Sequence, residues 1–267
     1  LEREGFQLTL LQPDAAGLIV PDQLAQAIRS DTDLVSVMAA NNEIGVLQPL
    51  SELAAICRDR KITIHSDAAQ AFGQVPLQPD AIGLDLLSLS AHKIYGPKGI
   101  GALVMRQGLP LQPLQWGGGQ EAGLRPGTLA APLIVGFAAA ASLAMQDLAS
   151  RGERLGRLRD QLWLGLQNRI PGIQLNGASA PRLPHNLNIT LPAVSGSRLH
   201  RQLRSKLTCS QGSACSNGVP SHVLQAIGRT RLEAEASLRL SLGRCTTESE
   251  VDAAICVITD ALAAARH

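Results

Sequence analysis

Four lysines, Lys61, Lys93, Lys98 and Lys206, are the side-chain amines of this 267-residue chain, so chemistry built on an amine has few candidates. Lys93 is the best placed. It follows Ser90-Ala91-His92 and precedes the turn Ile94-Tyr95-Gly96-Pro97-Lys98-Gly99. Lys98 is second, whereas Lys61 opens a strand candidate and Lys206 closes a helix candidate. Three other polar clusters accompany Ser90–Lys93: Asn41-Asn42-Glu43, His65-Ser66-Asp67-Ala68-Ala69-Gln70 and Arg125-Pro126-Gly127-Thr128. Singly, each has an ordinary explanation. Asp67 can cap a turn, Ser90 and His92 can satisfy loop backbone, and a lone lysine is usually a solvated charge. Their joint placement at successive strand ends is harder to assign to coincidence.

An amine, a carboxylate, hydroxyls and an imidazole converging on one crevice suit pyridoxal 5'-phosphate catalysis. The lysine bonds the aldehyde carbon. A carboxylate beside the ring nitrogen keeps it protonated, because an opposite charge favours the charged form. Hydroxyls, imidazole and free backbone N–H groups at a helix start bind the phosphate dianion.

These residues need a scaffold, and the apolar pattern supplies one. Leu34 to Ala40, Lys61 to Ile64, Asp85 to Ser90 and Ile100 to Met105 read as strands. Between the first two, Leu53, Ile56 and Cys57 share one face of a helix from about Leu50 to Arg60. Strand–helix–strand order predicts an α/β fold with a mostly parallel central sheet, helices on its faces and right-handed crossovers. In such sheets ligands bind beyond the carboxyl ends of the strands. The charge-free stretch Pro126 to Gln146 is mostly alanine with Pro132 and Gly136; it reads as a buried helix between layers rather than a membrane span. Beyond Ala149 the texture changes to an arginine-rich helix (Arg151 to Arg169), a strand (Asn186 to Thr190), a helix (Ser197 to Ser205), the loop Cys209 to Pro220, and a strand (Ala236 to Leu242). A last helix starts at Thr247, with Glu250 as its capping-box partner. The expected division is therefore 1–148, part of a large cofactor-binding domain, and 149–267, a smaller α+β domain.

Composition narrows the function classes. With 45% hydrophobic residues and a net charge of +2, the chain can bury a core, which argues against disorder. Twenty-four basic residues face 22 acidic ones without a basic run, so charge-driven nucleic-acid binding is not expected, nor is a membrane partner. The five cysteines form no C-x-x-C pair and no zinc spacing, so no metal site is expected. Free thiols and a reducing, cytoplasmic setting are. Cys57 and Cys256 read as core, while Cys209 and Cys245 stay open. Cys215 lies among Gly212, Ser213, Ser216, Asn217 and Gly218, which offer no apolar pocket and suit an exposed, reactive thiol.

His65–Gln70, Ser90–Gly99, Gly117-Gly118-Gly119-Gln120-Glu121 with Arg125–Thr128, and Gly212-Ser213-Ala214-Cys215 together resemble the cysteine desulfurases. These are relatives of the class V aminotransferases with the type I pyridoxal phosphate transferase fold. The similarity runs from about Leu34 to the final helix. It implies that Lys93 bonds the cofactor and moves the Cα proton, Asp67 pairs with the ring nitrogen and Gln70 with the phenolic oxygen. Ser90 and His92 would hold the phosphate, and Thr128 would reach the partner's phosphate across a homodimer. Asn42 would lie near the phenolic oxygen and the substrate carboxylate. Arg239 would clamp that carboxylate with its planar fork; from strand alternation alone, an outward-facing charge is equally good. Cys215 would take the sulfur of L-cysteine as a persulfide, leaving alanine, and pass it to acceptor or scaffold proteins for iron–sulfur cluster or other sulfur biosynthesis.

The resemblance has two departures. The stretch after Cys215 is shorter than the family's usual form. Family members also carry roughly a hundred residues ahead of the position of Leu1, with a Gly/Thr phosphate loop and a ring-stacking histidine; the chain alone would then hold cofactor weakly. Alternatives are a selenocysteine lyase, another class V aminotransferase, or an inactive binding subunit.

Overall fold

The computed structural model describes residues 1–177, 180–210 and 220–266. Its contacts divide the chain into two units, one of Ser30–Ala39 with Leu50–Leu148, the other of Leu1–Arg29, Ala40–Pro49 and Ala149–His267. The expected contiguous division into 1–148 and 149–267 differs from this partition. Two early segments cluster with the C-terminal residues, because Ile44 and Val46 bury themselves among Ala180, Leu224, Ile227 and Ala234.

In chain order α1 (Pro21–Ala27) precedes β1 (Leu34–Ser36), α2 (Leu50–Asp59), β2 (Thr63–Asp67), α3 (Pro79–Ile82) and β3 (Leu86–Ser90). A one-turn 3-10 helix (Ala91–Ile94) then leads to β4 (Gly101–Met105), α4 (Ala131–Gln146) and α5 (Leu148–Arg169). The first unit is built on a four-stranded sheet in the order β1-β2-β3-β4. The first two pairings are parallel and the last is antiparallel. The parallel pairings need crossovers, supplied by α2 and α3. Helix α2 buries Leu53, Ala54 and Cys57 on one stripe. Strand β1 is shorter than expected, and β2 runs on through His65-Ser66-Asp67 instead of ending before them.

Helix α4 departs from the buried helix expected of its composition. Ala140 and Ala144 are its buried residues, packed with Ile94, Phe72 and Phe137, while Val135, Leu143 and Met145 are exposed. An i, i+4 pair covers only one narrow face of a helix. Among the described residues, no single helix is long and apolar enough to cross a membrane.

The second unit continues with β5 (Gln174–Leu175), β6 (Asn186–Thr190), α6 (Gly196–Leu203), α7 (His222–Ala226), α8 (Arg231–Glu235), β7 (Ser237–Ser241) and α9 (Glu248–Arg266). Strands β5-β6-β7 form an antiparallel sheet. Leu187 and Ile189 of β6 and Leu238 and Leu240 of β7 pack with Leu155, Leu158, Leu162 and Leu166 of α5 and with Ile255, Ile258 and Leu262 of α9. The alternate β6 residues Asn186, Asn188 and Thr190 are buried too. Thr190 bonds Ser237 at 2.8 Å, and Asn176 donates to Asn188 at 2.8 Å, as buried polar groups require. The Thr247–Glu250 capping box forms as expected at the start of α9. Cys256, expected in the core, is exposed. It follows buried Ile255 by one residue, and a single helical step turns a side chain about 100° away.

Candidate active site

Strand periodicity sorts the polar residues of the first unit. In β2, His65 and Asp67 point to one face while Ile64 and Ser66 are buried on the other. Ser36 of β1 is in register with His65, and Asp67 with Ser88 of β3, so all four belong to one face. The His65 ring spans three strands, with Nδ1 2.8 Å from Ser36 Oγ and Nε2 3.2 Å from Ser88 Oγ. Burial pushes its pKa below the ordinary value, against the opposing pull of the Asp67 carboxylate.

Asp67 is exposed as the last residue of β2. Its Oδ1 accepts the Ala69 N–H at 2.9 Å, and its backbone carbonyl accepts Ala39 N–H at 2.7 Å. The turn that follows carries Gln70, half-buried. Strand β3 ends at Ser90, whose Oγ lies 2.8 Å from His92 Nδ1. In the 3-10 turn after it, Ala91 and Ile94 are buried while His92 and Lys93 are exposed. Residues three apart eclipse in a 3-10 helix, so one side of the turn anchors and the other presents the amine. Tyr95, at φ 66°, ends the turn. A Cβ at Gly96 would meet the Ala91 carbonyl at 2.9 Å, so only glycine permits the close return.

Asp67, Ser90, His92 and Lys93 thus stand at the carboxyl ends of two neighbouring parallel strands. Their chemistry matches what pyridoxal phosphate needs: a carboxylate for a ring nitrogen, a hydroxyl–imidazole pair for a phosphate, and an amine for an aldehyde. Thr128 is exposed in the loop before α4, so Arg125–Thr128 is not the strand-end cluster expected.

The second unit contains the other pair. Arg239 in β7 is half-buried, is in register with Asn188, and donates through Nη1 to the Asn42 carbonyl at 3.1 Å. The reading of Arg239 as a solvated strand charge is therefore set aside. Its backbone also pairs with Ser210, with N···O distances of 3.2 and 2.7 Å. Asn42 is half-buried, in a turn held by Asn41 Oδ1, which accepts the N–H of Glu43 at 2.8 Å and of Ile44 at 3.0 Å. Sequence reasoning named Glu43 only as a cluster member. The structure buries it and places the Ser221 hydroxyl on its carboxylate. The apolar run Ile44-Gly45-Val46 beside it was the available signal.

Cys215 lies outside the described residues. Of the other thiols, Cys57 is pushed up to about 11, by burial and then by the Asp85 carboxylate, and burial also raises Cys209. Neither is a thiolate at neutral pH. Cys245 and Cys256 are exposed, and Arg169 Nη1 lies 3.3 Å from Cys256 Sγ.

The model of the aminotransferase class-V family matches residues 1–254. Mitochondrial cysteine desulfurase of Eremothecium gossypii is 47% identical over 264 residues, covering 97% of this chain and 54% of that protein. Cysteine desulfurase IscS of Aeromonas hydrophila is 44% identical, covering 100% of this chain and 67% of that protein. Among solved structures, a NifS-like protein aligns with a TM-score of 0.88 and 35% identity, over 98% of this chain and 70% of its own. The chain spans about half to two thirds of the curated relatives it matches.

Proposed function

The chain belongs to the aminotransferase class-V family, whose members use pyridoxal phosphate, and on that premise we propose that it is part of a cysteine desulfurase. Asp67, Ser90, His92 and Lys93 at neighbouring strand ends carry the reading, supported by the 44–47% identity to proteins named as cysteine desulfurases.

Bound between these residues, pyridoxal phosphate would supply an electron sink that acidifies the substrate Cα–H bond. Asp67 would hold the proton on the ring nitrogen, since its carboxylate stabilises the adjacent positive charge. Gln70 would donate to the phenolic oxygen, and Ser90 with His92 would hold the phosphate. Lys93, presented by the anchored 3-10 turn, would bond the cofactor at rest and move the Cα proton when displaced. Arg239 and Asn42 would orient the substrate carboxylate; two N–H groups of one guanidinium match two carboxylate oxygens. Cys215 thiolate would attack the sulfur of L-cysteine. An S–S bond forms as the C–S bond breaks, the bonding pair stays on carbon and is protonated, and alanine leaves. The persulfide on Cys215 would then pass to an acceptor or scaffold protein.

A homodimer is part of the proposal, with Thr128 serving the partner's phosphate. Exposed Val135, Leu143 and Met145 on α4, and Leu114 and Trp116 before it, support an apolar contact surface. The free thiols among the described cysteines support a reducing compartment, which we take to be the cytoplasm.

The test is mass spectrometry of the full-length protein with pyridoxal phosphate and L-cysteine. One added sulfur is expected on the Cys215 peptide, absent in Cys215→Ser, with a visible cofactor band absent in Lys93→Ala. Alanine release without protein-bound sulfur would refute the desulfurase assignment.

A further inference from the structure

We propose that Asn188 is a positioning residue for the substrate carboxylate: oriented by Arg229 through Asn176, its amide holds the turn carrying Asn42 to the Arg239 guanidinium. The assignment rests on the desulfurase reading, and within it on Arg239 as the carboxylate clamp.

Asn188 of β6 lies directly opposite Arg239 of β7, and such antiparallel partners share a face of the sheet. The other face carries Leu187 and Ile189 into the apolar core. On the shared face the two side chains hold successive carbonyls of one turn. Arg239 Nη1 donates to the Asn42 carbonyl at 3.1 Å, and Asn188 Nδ2 donates to the Glu43 carbonyl at 3.0 Å.

Asn188 can do this only with its NH2 group facing the turn, and a chain of bonds dictates that orientation. Arginine donates and never accepts. Arg229 Nε donates to Asn176 Oδ1 at 2.6 Å, so the Asn176 NH2 group faces the other way. Its Nδ2 lies 2.8 Å from Asn188 Oδ1 and 3.0 Å from Thr190 Oγ1. Asn188 Oδ1 therefore accepts, which leaves Nδ2 for Glu43. The branch through Thr190 agrees in direction. Ser237 Oγ donates to the Glu233 carbonyl at 2.7 Å, so the Thr190 hydroxyl, 2.8 Å away, donates to Ser237 and accepts from Asn176. Asn176 and Asn188 are both 0% exposed.

Stability alone does not call for this chain, since apolar groups of the same shape can replace buried hydrogen-bonded partners at little cost. A fully satisfied network instead selects one geometry, because a flipped amide would set oxygen against oxygen. The geometry selected here is that of the Asn42 turn against Arg239. A planar guanidinium held at one nitrogen aims its remaining N–H groups in a fixed direction. Pinning the carbonyl that holds it therefore orients the fork before a carboxylate arrives.

The experiment uses the full-length protein with pyridoxal phosphate and compares Asn188→Ala, Arg229→Met and the double variant with wild type. Binding of L-alanine, and of ethylamine, the same amine without a carboxylate, is read from the visible cofactor band. The Kd of L-alanine is expected to rise about fivefold or more in Asn188→Ala. Ethylamine should change by less than about twofold, because only a carboxylate meets the clamp. The KM for L-cysteine should rise in parallel, with kcat within about threefold. Arg229→Met should show the same selective loss, and the double variant should be no worse than Asn188→Ala, since both break one chain. Without substrate, hydrogen exchange of the 42–46 segment should quicken about threefold or more in both single variants. Equal losses for L-alanine and ethylamine, an unchanged L-alanine Kd, unchanged exchange, or additive losses in the double variant would overturn the assignment. So would a wild type that binds L-alanine no more tightly than ethylamine. Should Asn188→Ala fail to fold, Arg229→Met decides the same contrast. A wild type that binds L-alanine selectively but forms no persulfide would remove the desulfurase reading, while the binding contrast would still decide the role of Asn188.

Discussion

Replacing His185 tests the electrostatics of the second unit directly. The ring lies half-buried just ahead of β6, with Nδ1 buried and without a hydrogen bond among the described residues. Burial first, and then the positive charges of Arg151 and Arg159, push its pKa from 6.5 down to about 4. The unfolded chain therefore takes up a proton as the pH falls through 6.5, while the folded chain refuses it until about 4. The neutral ring's contribution to stability is complete above the unfolded value and is lost progressively as the pH falls to the folded one. At about 1.4 kcal/mol per pH unit, the gap corresponds to about 3 kcal/mol between pH 7.5 and 4. His185→Leu removes the titration and the unpaired nitrogen. It spares the backbone bond from Leu242 N–H to the His185 carbonyl at 2.9 Å. Urea unfolding followed by circular dichroism at several pH values should show wild type losing about 3 kcal/mol more than the variant over that range. Parallel stability curves for the two proteins would refute the reasoning.

Three further outcomes are expected. At pH 7.5 a thiol with its pKa near 11 is thiolate in roughly one molecule in three thousand, so peptide mapping after alkylation should find exposed Cys256 modified long before buried Cys57. Gly45→Ala should lower stability by about 1–3 kcal/mol in urea unfolding, because Gly45 has φ +73° and a Cβ there would lie 2.8 Å from the Asn186 side chain. Asp67→Asn removes the charge expected to protonate the ring nitrogen; alanine formation from L-cysteine should fall about tenfold or more, and an unchanged rate would contradict the role given to Asp67.

Local spacing alone made several features readable. The stripe Leu53, Cys57 on α2 follows from the fixed helix period. The Thr247–Glu250 capping box needs no partner beyond four consecutive residues. The strand-end positions of Asp67 and Ser90 were legible from the polar clusters that close each apolar run, whereas the 3-10 turn that carries Lys93 was seen only in the structure. Burial decided by distant residues was not. Pro126–Gln146 has the composition of a core helix, yet α4 buries one narrow face, because how many neighbours cover a helix is set by the fold and not by its own residues. Arg239 could have faced either way on β7, and the turn at Asn42, some two hundred positions earlier, supplied the acceptor that settles it. Motifs shared with the cysteine desulfurases were enough to propose Lys93, Asp67 and Cys215 as the amine, the acid and the nucleophile. Tertiary packing alone buried Glu43, lowered the His185 pKa and assigned Ala40–Pro49 to the second unit, since burial and desolvation depend on which remote segments meet.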